Sequence, residues 1–143
     1  MPNWCSNRVT FISDNDDTMD FIRGAFDSNQ PFNVLRPEPD WSQTPNEKGW
    51  LPGPIYKGFL HSRYFPDGTE DDRWYNWRLN HWGVKWDIDS FDCTHDIDDM
   101  LEVEFLTPWG PPEELVSYLR ETYPDLDITW FYDEPGLQVA GYL

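Results

Sequence analysis

A single α+β domain over residues 1–143, built as a ferredoxin-like sandwich, is the fold that this chain predicts. Three observations lead there. Five segments alternate apolar and polar residues with the period of a strand. Their order with the helical segments is β, α, an insertion carrying a helix, β, β, α, β, β, which makes two βαβ-like halves. The length of 143 residues is close to the commonest domain size, so one core is expected. The predicted architecture is an antiparallel sheet with strand order 4-1-3-2, a terminal strand beside the fourth, and two main helices on one face.

"SNRVTFIS" sets Val9 and Phe11 against Arg8, Thr10 and Ile12, a first strand whose second face Ile12 makes partly covered. "DNDDTMDFIRGAFDS" offers Asp caps and then Met19, Ile22, Ala25 and Phe26 at helical spacing. From residue 30 to 69 periodicity fades and prolines recur, so this stretch reads as an irregular insertion. It carries Trp41, Trp50, Ile55, Tyr56, Phe59 and Phe65, rings and side chains costly to leave in water, and is expected to pack on the domain. From Glu70 to Trp82 the spacing predicts a helix with two aromatic stripes, closed by Gly83 at its C′ position. "VKWDID" then alternates as a strand with Val84, Trp86 and Ile88 inward, and Ser90–Asp99 becomes an acidic hairpin loop leading to "MLEVEFL". "PPEELVSYLRETYP" begins with Pro and Glu in the first turn and shows Leu115, Tyr118, Leu119 and Thr122 on one stripe. "LDITWFY" alternates Leu126, Ile128, Trp130 and Tyr132. "EPG" fits a type II turn, and "LQVAGYL" closes a terminal hairpin.

Composition narrows function. Ten Lys and Arg against 27 Asp and Glu give a formal charge of −17, which opposes phosphate backbones and anionic lipid and favours a basic partner. Two cysteines, Cys5 and Cys93, are too few for a disulfide framework, and no segment is a leader or a membrane span, so a cytoplasmic protein is expected.

Four tryptophans, Trp74, Trp77, Trp82 and Trp86, lie within "RWYNWRLNHWGVKWDID". Stripes at regular spacing ordinarily bury area, so they read first as core. The alternative is a ligand pocket formed by Trp4, Cys5, Trp82, Lys85 and Trp86. The acidic run "DIDSFDCTHDIDDMLEVE" fails the calcium-loop template, because the sixth position from Asp87 is Asp92 rather than Gly and the twelfth is Asp98 rather than Glu. Cys93 and His95 lack a second pair at zinc-ligand spacing, so neither a metal nor another cofactor is expected. Cys5 has no motif that would orient His61, His81 or His95 as its base. There is no glycine-rich phosphate loop and no nucleophile elbow. Asn3 and Asn7 are suited to shape the entry to the first strand or to orient a ligand.

The blocks "PNWCSN" (2–7), "WYNWRLNHWGVKWD" (74–87), "FLTPWGPP" (105–112) and "YDEPGLQVAGY" (132–142) together resemble the YubB/Api92-like family, a ferredoxin-like domain of phages, prophages and plasmids. Related members carry "NWGTKWD" and "TAWSPP", so His81, Val84, Pro108 and Gly110 depart from that pattern. The resemblance implies the fold and a mobile-element setting, and it brings no catalytic residues with it.

The reading that follows is a non-enzymatic binding protein that meets a basic or nucleic-acid-binding host protein through Asp87, Asp89, Asp92, Asp96, Asp98, Asp99, Glu102 and Glu104. In its sharpest form, these carboxylates imitate phosphates and inhibit a host defence or DNA-processing protein. The alternative is a small-molecule or nucleotide-related enzyme or binding module using the tryptophan-rich pocket. A third reading, in which the sheet stacks RNA bases, runs against the charge.

Overall fold

The computed structural model describes residues 3–54 and 62–143. Its contacts gather into two compact units, one of residues up to Pro37 together with Arg78–Leu143, the other Glu38–Trp77.

The first unit is organised by β1 (Trp4–Ile12), whose alternation is real: Cys5, Asn7, Val9 and Phe11 are buried and the intervening residues are largely exposed. β1 pairs antiparallel with β3 (Met100–Pro108) on one side and β4 (Asp127–Glu134) on the other. The edges are β2 (Asp92–Ile97) and β5 (Val139–Tyr142), so the order is β2-β3-β1-β4-β5. This is the predicted arrangement, with the fourth strand beside the first and the terminal strand outside it.

Helix α1 (Asp16–Asp27) is capped by Asn15, whose side chain accepts from the Asp17 and Thr18 amides; Asp16 and Asp17 occupy the first turn instead of the cap. It buries Met19, Ile22, Ala25 and Phe26, as their spacing predicts. Helix α4 (Glu113–Thr122) buries Leu115, Val116 and Leu119, with Val116 taking the place expected of Tyr118 and Thr122. Aromatic rings knit this core together: Phe26 lies 5.8 Å from Phe11 and 6.2 Å from Phe105, and Phe105 lies 5.7 Å from Trp130. Asn7 spans the buried sheet face, donating to Thr107 Oγ1 and accepting from Trp130 Nε1, so a polar side chain at 0% exposure is fully engaged.

Four segments differ from expectation. Pro31–Leu35, placed at the start of an irregular insertion, is a short helix α2 that buries Phe32 and Leu35 in the first unit. Helix α3 runs from Arg73 to His81 and buries none of its own residues, so its aromatic stripes are not core; the buried ring is Trp82, just beyond the helix. Trp82 packs 6.0 Å from Phe32 and donates to the Arg36 carbonyl. Gly83 does terminate α3: at φ +88° its amide returns to the Arg78 carbonyl, and an added Cβ would lie 3.0 Å from the Glu113 amide.

The third difference governs the candidate site. "VKWDID" forms no strand, and the second strand is Asp92–Ile97, inside the segment expected to be loop. Val84 and Ile88 are buried, but Trp86 between them turns outward. Asp87 fixes that bend, because its carboxylate accepts from the Phe32, Asn33 and Ile88 amides at 2.9, 3.0 and 2.8 Å, closing the first turn of α2. At the far end, "EPG" does not place Gly136 at positive φ. The turn runs Pro135–Gln138, with Gln138 left-handed at φ 56°, and a Cβ added at Gly136 would meet the Asn3 and Glu134 side chains at 2.8 and 3.0 Å, which would have to shift.

The second unit, Glu38–Trp77, holds a short 3₁₀ turn, Trp41–Gln43, and is organised by Arg73. The guanidinium forms two hydrogen bonds to Asp71, at 2.8 and 2.9 Å, and donates to the Trp41 and Pro45 carbonyls. It also lies 4.9 Å from the Trp41 ring centre and 5.2 Å from that of Phe65. Burial pushes the Asp71 carboxyl up, yet the hydrogen bonds and charge of Arg73 outweigh it and hold the group below its ordinary range. Ile55, Tyr56, Phe59 and His61 lie outside the described residues.

Candidate partner-binding face

Because side chains alternate along a strand, the residues of β1 that are not in the core share one face with their ladder partners. That face carries Ser6 opposite Leu106 and Asp133, Arg8 opposite Glu104 and Phe131, and Thr10 opposite Glu102. Toward the β2 edge it continues with Asp92 opposite Glu104 and His95 opposite Glu102; toward β5, Tyr142 packs 5.3 Å from Phe131. Ile12 pairs with Asp127 at the far end. The uncovered face thus holds five carboxylates, those of Asp92, Glu102, Glu104, Asp127 and Asp133, around Arg8. Leu106 and Tyr142 on this face are 54% and 72% exposed, so apolar surface is available among the charges.

Glu102 is the best-held of these acids. It accepts from Thr94 Oγ1 at 2.8 Å and Thr10 Oγ1 at 3.0 Å and lies 3.4 Å from His95 Nδ1. Those hydrogen bonds, Thr94 first, hold its carboxyl below the ordinary glutamate range. Arg8 lies 5.6 Å from the Phe131 ring centre.

The sequence-predicted acidic set is divided by the fold. Asp92, Glu102 and Glu104 lie on the open face. Asp96 pairs with Leu101, which is buried, and its carboxylate bonds Arg23 of α1 at 2.9 Å, so it belongs to the helix side. Arg23 also donates to the carbonyls of Ile97 and Asp98. Asp98 and Asp99 are exposed at the hairpin turn, and Asp89 is exposed before β2. Asp87 points inward as a helix cap, where burial raises its carboxyl above the ordinary range despite three donors. A single surface presenting all eight is therefore corrected: a bulge between Cys93 and His95 and the true position of β2 send them to different places.

The alternative pocket divides as well. Cys5 and Trp82 are buried in the core, and burial raises the Cys5 thiol to about 11, which keeps it protonated and a poor nucleophile. Trp4, Lys85 and Trp86 meet at the surface instead. The Trp4 and Trp86 ring centres are 6.4 Å apart at 36°, and Lys85 Nζ lies 4.4 Å from the Trp86 ring centre. The Trp109 amide donates to the Asn3 carbonyl, and Trp109 is 51% exposed at φ 70°. Elsewhere in the first unit, a shallow groove of about 370 Å³ lies along α4, lined by Arg36, Glu113, Glu114, Ser117, Tyr118 and Glu121. Among the described residues no three His, Cys, Asp or Glu side chains converge as metal ligands, and no helix is long and apolar enough to cross a membrane.

Asp127, Asp133 and Phe131 join the face although the acidic run does not include them, and the sequence carries their signal: they alternate with Ile128, Trp130 and Tyr132 in "DITWFYD".

Residues 81–143 match the family model described as the ferredoxin-like domain in Api92-like protein. Among solved structures, the crystal structure of a protein api92 from Yersinia pseudotuberculosis is similar, with a TM-score of 0.54 and 13% identity over 99% of this chain and 93% of that one. At that identity the likeness is one of fold. No curated protein matches.

Proposed function

We propose, on the premise that residues 81–143 match the family model of the ferredoxin-like domain in Api92-like protein, that the protein is a non-enzymatic binding module that docks a basic protein on its open sheet face. The observation that carries this reading is the composition of that face, five carboxylates around one arginine with Leu106, Phe131 and Tyr142 among them. Charge of one sign steers an oppositely charged partner and sets its register, while exposed apolar groups supply area to bury. In the mobile-element setting that the family resemblance implies, the partner is a host protein whose basic surface otherwise holds nucleic acid, and the acids stand in for phosphates.

Two triple variants test the reading. Asp92→Asn, Glu104→Gln and Asp133→Asn together remove three of the five carboxylates of the open face; Asp96→Asn, Asp98→Asn and Asp99→Asn remove the same charge from the helix side and the hairpin turn. Binding of a basic probe peptide, nonalysine, is measured by calorimetry at low and high salt. The first variant should weaken binding severalfold more than the second, and salt should weaken both as the screening length falls from about 10 Å at 0.1 M to about 3 Å at 1 M. Equal effects of the two variants would remove the open face as the docking surface.

A further inference from the structure

We infer that Trp4 and Trp86 form the anchor of this surface and take an arginine side chain of the basic partner, in exchange for Lys85. The inference deepens the docking reading and rests on it.

Trp4 lies on the open face by register, opposite Pro108 and two residues along β1 from the Ser6–Leu106 pair, with Arg8 and Glu104 next in the same row. The four residues from Trp4 to Arg8 span about 13 Å of strand. An extended segment of a few residues therefore reaches from the tryptophans to the acids. Trp86 leans against Trp4 and both stay open to water, at 44% and 38% exposure. Tryptophans are enriched where interfaces concentrate their binding energy, and indole faces attract cations.

Lys85 supplies the second observation. Its ammonium already stands 4.4 Å from the Trp86 ring centre, so this ring holds a cation within the molecule. A lysine side chain keeps much of its hydration and rotamer freedom there, whereas a planar guanidinium stacks on the indole and can still donate to carboxylates. Arginine is thus the better occupant of the pair, and an intramolecular lysine is a competitor that it displaces. The neighbouring carboxylates give the same sign of selection and disfavour a nucleotide, whose base would stack well but whose phosphates would meet Asp133, opposite Ser6, and Glu104, opposite Arg8.

The test uses the full chain and two peptides of equal charge, nonalysine and the same peptide with arginine at its centre. The arginine peptide should bind about two- to thirtyfold tighter. Trp86→Ala and Trp4→Ala should each abolish that preference, with circular dichroism checking the fold. Lys85→Gln should strengthen the arginine peptide more than the lysine peptide, and this arm holds the question open to test if a tryptophan variant misfolds. The open-face triple variant should weaken both peptides alike. Equal binding of the two peptides, unaltered by the tryptophan substitutions but weakened by the open-face variant, would overturn the anchor and leave the docking reading standing. Absence of binding by both peptides would overturn both. Tight binding of a single-stranded oligonucleotide, lost in Trp86→Ala, would assign the rings to nucleobases and overturn the inference.

Discussion

At the scale of residues, the side chains that sequence chemistry marks as reactive or as sticky are frequently the ones that the fold employs to bend and brace its backbone. Asp87 shows this most clearly. In sequence it is one more acid in an acidic run, yet its carboxylate closes α2 through the Phe32 and Asn33 amides and holds its own turn through Ile88. Asp87→Ala leaves three donors unpaired in a half-buried place, at about 1–3 kcal/mol for a buried unpaired group. We expect chemical unfolding, followed by circular dichroism because nine tryptophans share the fluorescence, to register a loss of about 2 kcal/mol. The pH dependence has a definite sign. Because the folded carboxyl sits above its ordinary value, its contribution to stability is present below the unfolded value, about 3.9, and is lost as pH rises through the folded value; at neutral pH the buried charge is a cost that the three amides offset only in part. A variant as stable as the parent would make Asp87 an ordinary surface acid.

At the scale of elements, legibility followed burial. β1, β3, β4, α1 and α4 have one covered side, so their apolar residues recur at the period of the element and could be read directly. β2 is an edge strand with all six residues exposed, and a strand without a buried face leaves no alternation to find. "VKWDID" offers the opposite lesson, since alternation is present but the amides of α2 capture Asp87 and bend the chain. That one displacement also scattered the candidate site: the acids were legible as charge, their faces only through the register of β2. In the second unit the organising feature is an ion pair between neighbours in sequence, which periodicity does not reveal. Arg73→Ala would leave the Asp71 carboxylate, whose side chain is 3% exposed, with the residue-73 amide but without the two guanidinium hydrogen bonds, and would remove the cation between Trp41 and Phe65. Removing one partner of such a buried pair costs about 3–5 kcal/mol. Hydrogen exchange should therefore accelerate across the described residues between 38 and 77 while β1 and β3 keep their protection. Unchanged exchange there would show that the unit is held by other contacts.

At the scale of the whole molecule, the formal charge of −17 is a term in stability as well as in binding. Like charges repel most when they are gathered into the folded chain, so at low ionic strength the native state bears a cost that unfolding relieves. Salt should reduce it. Of the ion pairs that salt also weakens, Arg23–Asp96 and Lys48–Asp67 lie at the surface, where such pairs contribute about 0–1 kcal/mol. Arg73–Asp71 is sheltered and screened much less. Relief of repulsion should therefore win, and the melting temperature is expected to rise as sodium chloride increases from 10 to 150 mM, then level off as the screening length approaches the spacing of the charges. For a chain of this size each kcal/mol regained corresponds to about 2–4 °C. Replacing Asp20, Asp27 and Asp89, all exposed, by Asn should raise the melting temperature at 10 mM salt and flatten its dependence on salt. A melting temperature that falls over this range, measured by calorimetry on parent and variant, would mean that attractive pairs outweigh the repulsion, and the acidic surface would then be part of what holds the fold together.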